Sequence, residues 1–188
     1  MPERETFLLV DGENIDATLG ASLLGRRPAP EERPRWDRVL DHARRAWDQP
    51  VRGLFFLNGT GGLPMAFVQA LTAIGFRPVP LAGPSDVKVV DVAIERTLEA
   101  LGERGSGDVL LVSHDGDFAP ALRPLVDHDG RRVGVIGFRE LMSAQLLDLA
   151  GQGLEVLDLE DDVGAFTVTL PRLRVVAIED FDPWTLLA

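Results

Sequence analysis

Three short stretches of this chain carry acids in a pattern suited to cation-dependent chemistry. The first is Asp11-Gly12-Glu13-Asn14, directly after an apolar run. The second is Asp86-Val87-Lys88-Val89-Val90-Asp91. The third is His114-Asp115-Gly116-Asp117, again directly after an apolar run. Carboxylates brought together repel, by ~4 kcal/mol at a ~4 Å separation and an effective dielectric of ~20. Proteins tolerate this where a cation or a shared proton offsets it. The chain has no cysteine, and its three histidines show no HxxxH spacing, so the donors are oxygens. Such a set favours Mg²⁺ or Mn²⁺ over Zn²⁺. An ion on one or two carboxylates completes its shell with water and phosphate oxygens, the layout of phosphodiester hydrolysis.

The elements around these stretches decide whether the acids meet. Buried strands are expected at Thr6–Val10, Gly53–Leu57, Val109–Ser113 and Arg132–Gly137, all short apolar runs. Phe76–Pro80 reads as a weaker strand near an edge because of its prolines, and Leu154–Leu157 as another short one. Helical patterns lie between them, at Ile15–Leu24, Trp36–Trp47, Leu63–Ile74, Val87–Leu101, Phe118–Val126 and Glu140–Leu149. Strands alternating with helices make an α/β protein with a mainly parallel sheet and helices on both faces. Ligands of such sheets bind beyond the carboxyl ends of the strands. The three acidic stretches then converge on one edge.

Each residue also has a structural reading. Asp11 could cap a turn with Gly12, and Asn14 or Asp117 could be the N-cap of the helix that follows it. Asp115 is the better ligand candidate, since it leaves the strand tip. Asp91 could pair with Lys88 three residues before it, and Glu95 shares its helix face. Ser113-His114-Asp115 is no relay, because adjacent residues on a strand end point in opposite directions. Asn58-Gly59-Thr60-Gly61-Gly62 could cradle a phosphate but lacks the P-loop pattern, so a plain turn is favoured.

Composition bounds the partners. The 188 residues suit one domain, and no stretch approaches the roughly 18 apolar residues of a membrane span. The start has no signal-peptide anatomy, so a cytoplasmic location is expected. The net charge is −11, with 18 Arg and Lys88 as the single Lys. Overall repulsion from phosphates is offset only locally, around Arg26, Arg27, Arg33, Arg35, Arg38, Arg44 and Arg45. A phosphate-binding flank and a solvated Arg/Glu surface are both consistent with that group. Gly25–Pro34 reads as a loop insertion. Residues 159–188 read as a C-terminal extension, with an acidic start, a strand-like Leu173–Ile178 and a docking tail or dimerisation arm.

FLLVDGENI, DVKVVDVAI, VLLVSHDGDFAPAL and GRRVGVIG, in this order, resemble the NYN domain of the PIN-like nuclease superfamily, closest to its bacterial LabA-like branch. The resemblance spans about residues 6 to 158. It implies a PIN-like Rossmannoid three-layer sandwich and a Mg²⁺- or Mn²⁺-dependent ribonuclease. By that resemblance Asp11, Asp91, Asp115 and Asp117 are the catalytic metal ligands. Asn14, Lys88 and Ser113 match the accompanying substrate-binding positions. One departure stands out: the family often carries an acid six residues after the Asp91 position, and here that residue is Thr97.

The expected function is therefore endonucleolytic cleavage of RNA. The rival is a module that has lost catalysis and binds RNA or a protein partner, through the extension or as a homodimer. A haloacid-type phosphatase would need an acid at Glu13 to complete its first-strand pair. A topoisomerase-primase site would fit Asp115 and Asp117 but not Asp11.

Overall fold

The computed structural model describes residues 4–172 and 176–187. One sheet contains six strands: β1 (Thr6–Asp11), β2 (Val51–Asn58), β3 (Arg77–Leu81), β4 (Asp108–Val112), β5 (Val133–Gly137) and β6 (Glu155–Asp158). All are parallel, in the order β3-β2-β1-β4-β5-β6. The crossovers carry α1 (Gly12–Thr18), α2 (Trp36–Ala46), α3 (Met65–Ile74), α4 (Val89–Arg104), α5 (Ala119–Val126) and α6 (Ala144–Ala150).

The period of two along each strand divides the apolar residues between two cores. In β1, Leu8 and Val10 face one core, closed by Ile15, Leu40 and Leu71 of α1, α2 and α3. Phe7 and Leu9 face the other, closed by Ile94, Leu122 and Leu146 of α4, α5 and α6. Every residue of β1, β4 and β5 is buried, which is why their sequences run apolar without alternation. The result is the expected three-layer α/β sandwich. β3 lies at an edge, where Pro78 and Pro80 lack the N–H another strand would need.

Some boundaries differ from the sequence pattern for local reasons. The first predicted helix starts at Gly12 and passes into a π-helical turn at Leu19–Leu24, stopped by Gly25 at φ 68°. The predicted Glu140–Leu149 helix divides in two. A 3-10 turn spans Arg139–Leu141, and α6 begins after Ser143, whose hydroxyl caps Leu146 N at 3.4 Å. The 25–34 loop contains a short 3-10 turn, Pro30–Glu32. Glu32 takes two 2.7 Å bonds from Arg26 and one of 2.8 Å from Ala29 N, which hold its carboxyl at about 2.

Beyond β6 the chain turns back over the sheet. Leu159, Val163, Ala165 and Leu170 join the first core beside Ile136 and Phe138. They cover the β5 side of a face whose other side is packed by α1, α2 and α3. Arg172 pairs with Glu160, and with Glu140 at 3.1 Å, and its guanidinium lies over the Phe138 ring. The strand-like stretch 173–178 falls partly on 173–175, outside the described residues. Residues 176–187 are exposed, Trp184 among them at 73%.

Candidate active site

β1 and β4 are neighbours, and their connections leave in opposite directions, β1 towards β2 and β4 towards β5. Such a reversal opens a crevice at the carboxyl ends of the two strands. Asp11 ends β1, and Ser113-His114-Asp115 leave β4. The crossover from β3 brings Lys88 and Asp91 to the start of α4.

Asp11 is 2% exposed. Its Oδ1 accepts the Asn14 N–H at 3.3 Å, so Asp11, and not Asn14, is the N-cap of α1. Its Oδ2 accepts the Ser113 hydroxyl at 3.0 Å. Burial pushes the Asp11 carboxyl up to about 6. The two hydrogen bonds oppose that rise, while the charges of Asp91 and Asp115 add to it. Asp91 lies in the first turn of α4, half-buried, with Lys88 Nζ 3.6 Å from its Oδ2. Its carboxyl is raised chiefly by burial. Lys88 lowers it, and Asp115 and Asp117 raise it further. Lys88 is 76% exposed, so this pair is solvent-screened and weak.

Asp115 caps the 3-10 turn Gly116–Phe118, its Oδ1 accepting Asp117 N at 2.9 Å. Asp117 therefore does not cap α5, whose N-cap position is Phe118 with no side-chain cap, and Asp115 caps the turn that leads into it. Asp117 is exposed and lines a surface depression with Glu95, Pro120 and Gln145. Ser113 is fully buried behind Asp11, and its hydroxyl oxygen also accepts Asp115 N at 3.2 Å. One side chain therefore ties the two strand tips together.

His114 is the residue whose role sequence reasoning missed. Its Nε2 accepts Phe138 N–H at 2.7 Å, so Nδ1 carries the proton and donates to Asn14 Oδ1 at 3.0 Å. Asn14 Oδ1 also accepts His114 N at 2.9 Å. Burial lowers the imidazole to about 4, so the ring is neutral at pH 7. It links β4, β5 and α1 beneath the acids. Gly137 makes room for it, since a Cβ there would lie 2.8 Å from Nε2. The glycine within GVIG is the signal that could have pointed to this contact.

The donor chemistry fits a hard cation. The donors are oxygen-only, and Asp11 and Asp91 are raised chiefly by burial, with a smaller contribution from neighbouring carboxylates that a cation would relieve. Among the described residues no three His, Asp or Glu side chains form a compact metal cage. The fit is therefore to an ion held by one or two carboxylates, its shell completed by water and phosphate. Thr97 donates to Ala93 O at 2.7 Å and turns back on its own helix. Glu95, one turn after Asp91, lines the same depression as Asp117.

Five of the seven arginines around the loop and α2 have partners within the protein, and the glycine loop closes on itself. Arg26, Arg33, Arg35 and Arg44 pair with Glu32, Asp16, Asp37 and Asp41. Arg38 donates to Gly164 O and Phe166 O. In the glycine loop, Thr60 N donates to Asn58 Oδ1, Gly62 N to Gly59 O and Gly59 N to Leu81 O. These amides close a turn and do not converge on an anion.

The chain is similar to a crystal structure of a protein of unknown function from Vibrio parahaemolyticus. The match has 22% identity, covers 86% of this chain and 96% of that one, and has a TM-score of 0.64. At this identity the likeness speaks for the fold alone, and it agrees with the α/β sandwich. Among the described residues no helix is long and apolar enough to cross a membrane. The sequence model of the NYN domain, a family of nuclease-like proteins in which divalent metals are usual, matches residues 5–156. With most of its length matched, the chain belongs to the NYN domain family.

Proposed function

We propose that this protein is a Mg²⁺- or Mn²⁺-dependent ribonuclease that cuts RNA internally. The observation that carries the reading is the meeting of Asp11, Asp91 and Asp115 at the β1/β4 switch point. Asp11 is held there against a burial penalty that a purely structural cap would not require. A bound divalent ion would supply activated water and neutralise charge on the scissile phosphate. One or two of Asp11, Asp91 and Asp115 would hold it directly, the remaining acids and Asp117 at the mouth acting on its waters.

The chain's own residues set the rest. Ser113 fixes Asp11 Oδ2 and the Asp115 backbone, so its part in our reading is positioning and not substrate contact. Asn14 is held by His114 in the first turn of α1, so its part in our reading is also positioning. Lys88 is exposed beside Asp91 and is the cation placed to meet a phosphate. Cytoplasmic RNA is the substrate class this reading implies.

The second reading, an RNA- or protein-binding module without catalysis, is favoured by Thr97 and by the lack of a three-acid cage among the described residues. A circular single-stranded RNA separates the two. Linearisation by the wild type, lost in both Asp11→Asn and Asp115→Asn, supports an endonuclease. Binding of the circle without linearisation, unchanged by either substitution, supports the module.

A further inference from the structure

The acids are not the only feature at this edge. A depression of about 580 Å³ opens beside Asp11, between the start of α1, the tip of β2, α3 and the 30–36 segment. Its size is that of a small-ligand site. Its apolar wall contains Trp36, Phe55, Phe67 and Pro34, and its polar rim contains Glu13, Asn58 and the Arg33–Asp16 ion pair. Trp36 and Phe67 each stand edge-on to the buried Phe55, with centroids 5.0 and 5.5 Å away at 84°. Both are half-buried, so part of each ring remains open to the depression. Gly12 and Glu13, which follow Asp11 in the chain, form its wall. A Cβ on Gly12 would strike the Phe55 ring at 2.6 Å. The glycine of the first acidic motif therefore lets the aromatic cluster approach the acids.

Charge narrows the occupant. The protein carries −11, and four of the seven arginines of the α2 flank, Arg26, Arg33, Arg35 and Arg44, are paired with carboxylates. Phosphate contacts then contribute little affinity for a strand. Aromatic stacking is the sequence-tolerant source of affinity that remains. We propose that this depression is a nucleobase subsite, which stacks one unpaired base of the RNA whose phosphate lies at Asp11. Trp36 and Phe67 supply the stacking surface. The inference rests on the nuclease reading for the placement of the phosphate, but the subsite can be tested without cleavage.

Abasic scanning is the test. A labelled single-stranded RNA of mixed sequence is prepared with one base removed at each position in turn. Cleavage by the wild type is measured with Mn²⁺, and binding to Asp115→Asn by fluorescence anisotropy. At one fixed offset from the cut, base removal is expected to lower kcat/KM by about 5- to 150-fold, the range of one base–aromatic stack. Trp36→Leu and Phe67→Leu should lower kcat/KM on intact RNA similarly, and should erase the penalty of that abasic position. Trp36→Phe should restore much of the loss. Thermal unfolding of each variant separates loss of stacking from loss of fold. Cleavage indifferent to every abasic position, or losses that multiply between Trp36→Leu and the abasic RNA, would overturn the subsite while the nuclease stands. Base-dependent binding lost in Trp36→Leu, without cleavage in any metal, would sustain the subsite and remove the nuclease.

Discussion

Replacing Asp11 by Asn removes a charge that the fold tolerates at a cost. Burial raises this carboxyl from 3.8 to about 6. At ~1.4 kcal/mol per pKa unit, the ionised form destabilises the metal-free protein by about 3 kcal/mol at neutral pH. The folded state holds the proton to higher pH than the unfolded chain, so stability falls as pH rises from about 4 to about 6. Asn abolishes this penalty with a cost of its own. Its single amide oxygen cannot accept both the Asn14 N–H and the Ser113 hydroxyl proton, so one of the two bonds is lost, at about 1 kcal/mol. Asp11→Asn is therefore expected to be more stable by about 2 kcal/mol at pH 7.5 in EDTA, or about 4–8 °C in Tm. The gain should disappear near pH 4, where folded Asp11 is already protonated. Urea unfolding across pH 4–8 measures it. A stability difference that does not change with pH, or a less stable variant at pH 7.5, would refute the burial argument.

His114 has the opposite sign over nearly the same range. Its folded-state pKa is lowered from 6.5 to about 4, so its contribution is lost as pH falls through that window. His114→Ala should cost about 2–4 kcal/mol at pH 7.5, from the unpaired Phe138 N–H and the cavity left by the ring, with a smaller loss near pH 4 by urea unfolding. Gly137→Ala should displace the ring, costing about 1–3 kcal/mol, and reduce cleavage without touching an acid. Mn²⁺ at about 100 times its Kd should stabilise the wild type by about 2.7 kcal/mol, with weaker binding at pH 5 than at pH 7, and little effect on Asp115→Asn; thermal shift titrations check this. A chain ending at Asp158 should unfold, since Leu159, Val163, Ala165 and Leu170 close the core over Ile136 and Phe138, whereas one ending at 176 should keep its Tm.

The layers and the strand order's consequence were readable because burial writes itself into composition. TFLLV and VLLV carry apolar residues on both faces, and the prolines of RPVPL mark an edge. Asp11, Asp91 and Asp115 could be placed together because parallel strands put their carboxyl ends on one side. What could not be read depends on contacts between distant segments. Asp11, not Asn14, caps α1 because Asn14 Oδ1 is held by His114, a hundred residues away in the chain. The proton on His114 Nδ1 follows from a backbone N–H of Phe138. Ser143 as the start of α6 is legible in hindsight as an N-cap, but the apolar period hid it. The aromatic depression beside Asp11 draws Trp36, Phe55 and Phe67 from three elements whose own patterns show only core.

The most direct measurement is cleavage of a labelled single-stranded RNA by the purified protein, with Mn²⁺, Mg²⁺ and EDTA side by side and Asp115→Asn as control. Cleavage that needs the metal and disappears in Asp115→Asn is expected. A folded protein that leaves the RNA intact in every metal, or that cuts it equally well in EDTA, would contradict the assignment of these acids to a metal-dependent nuclease.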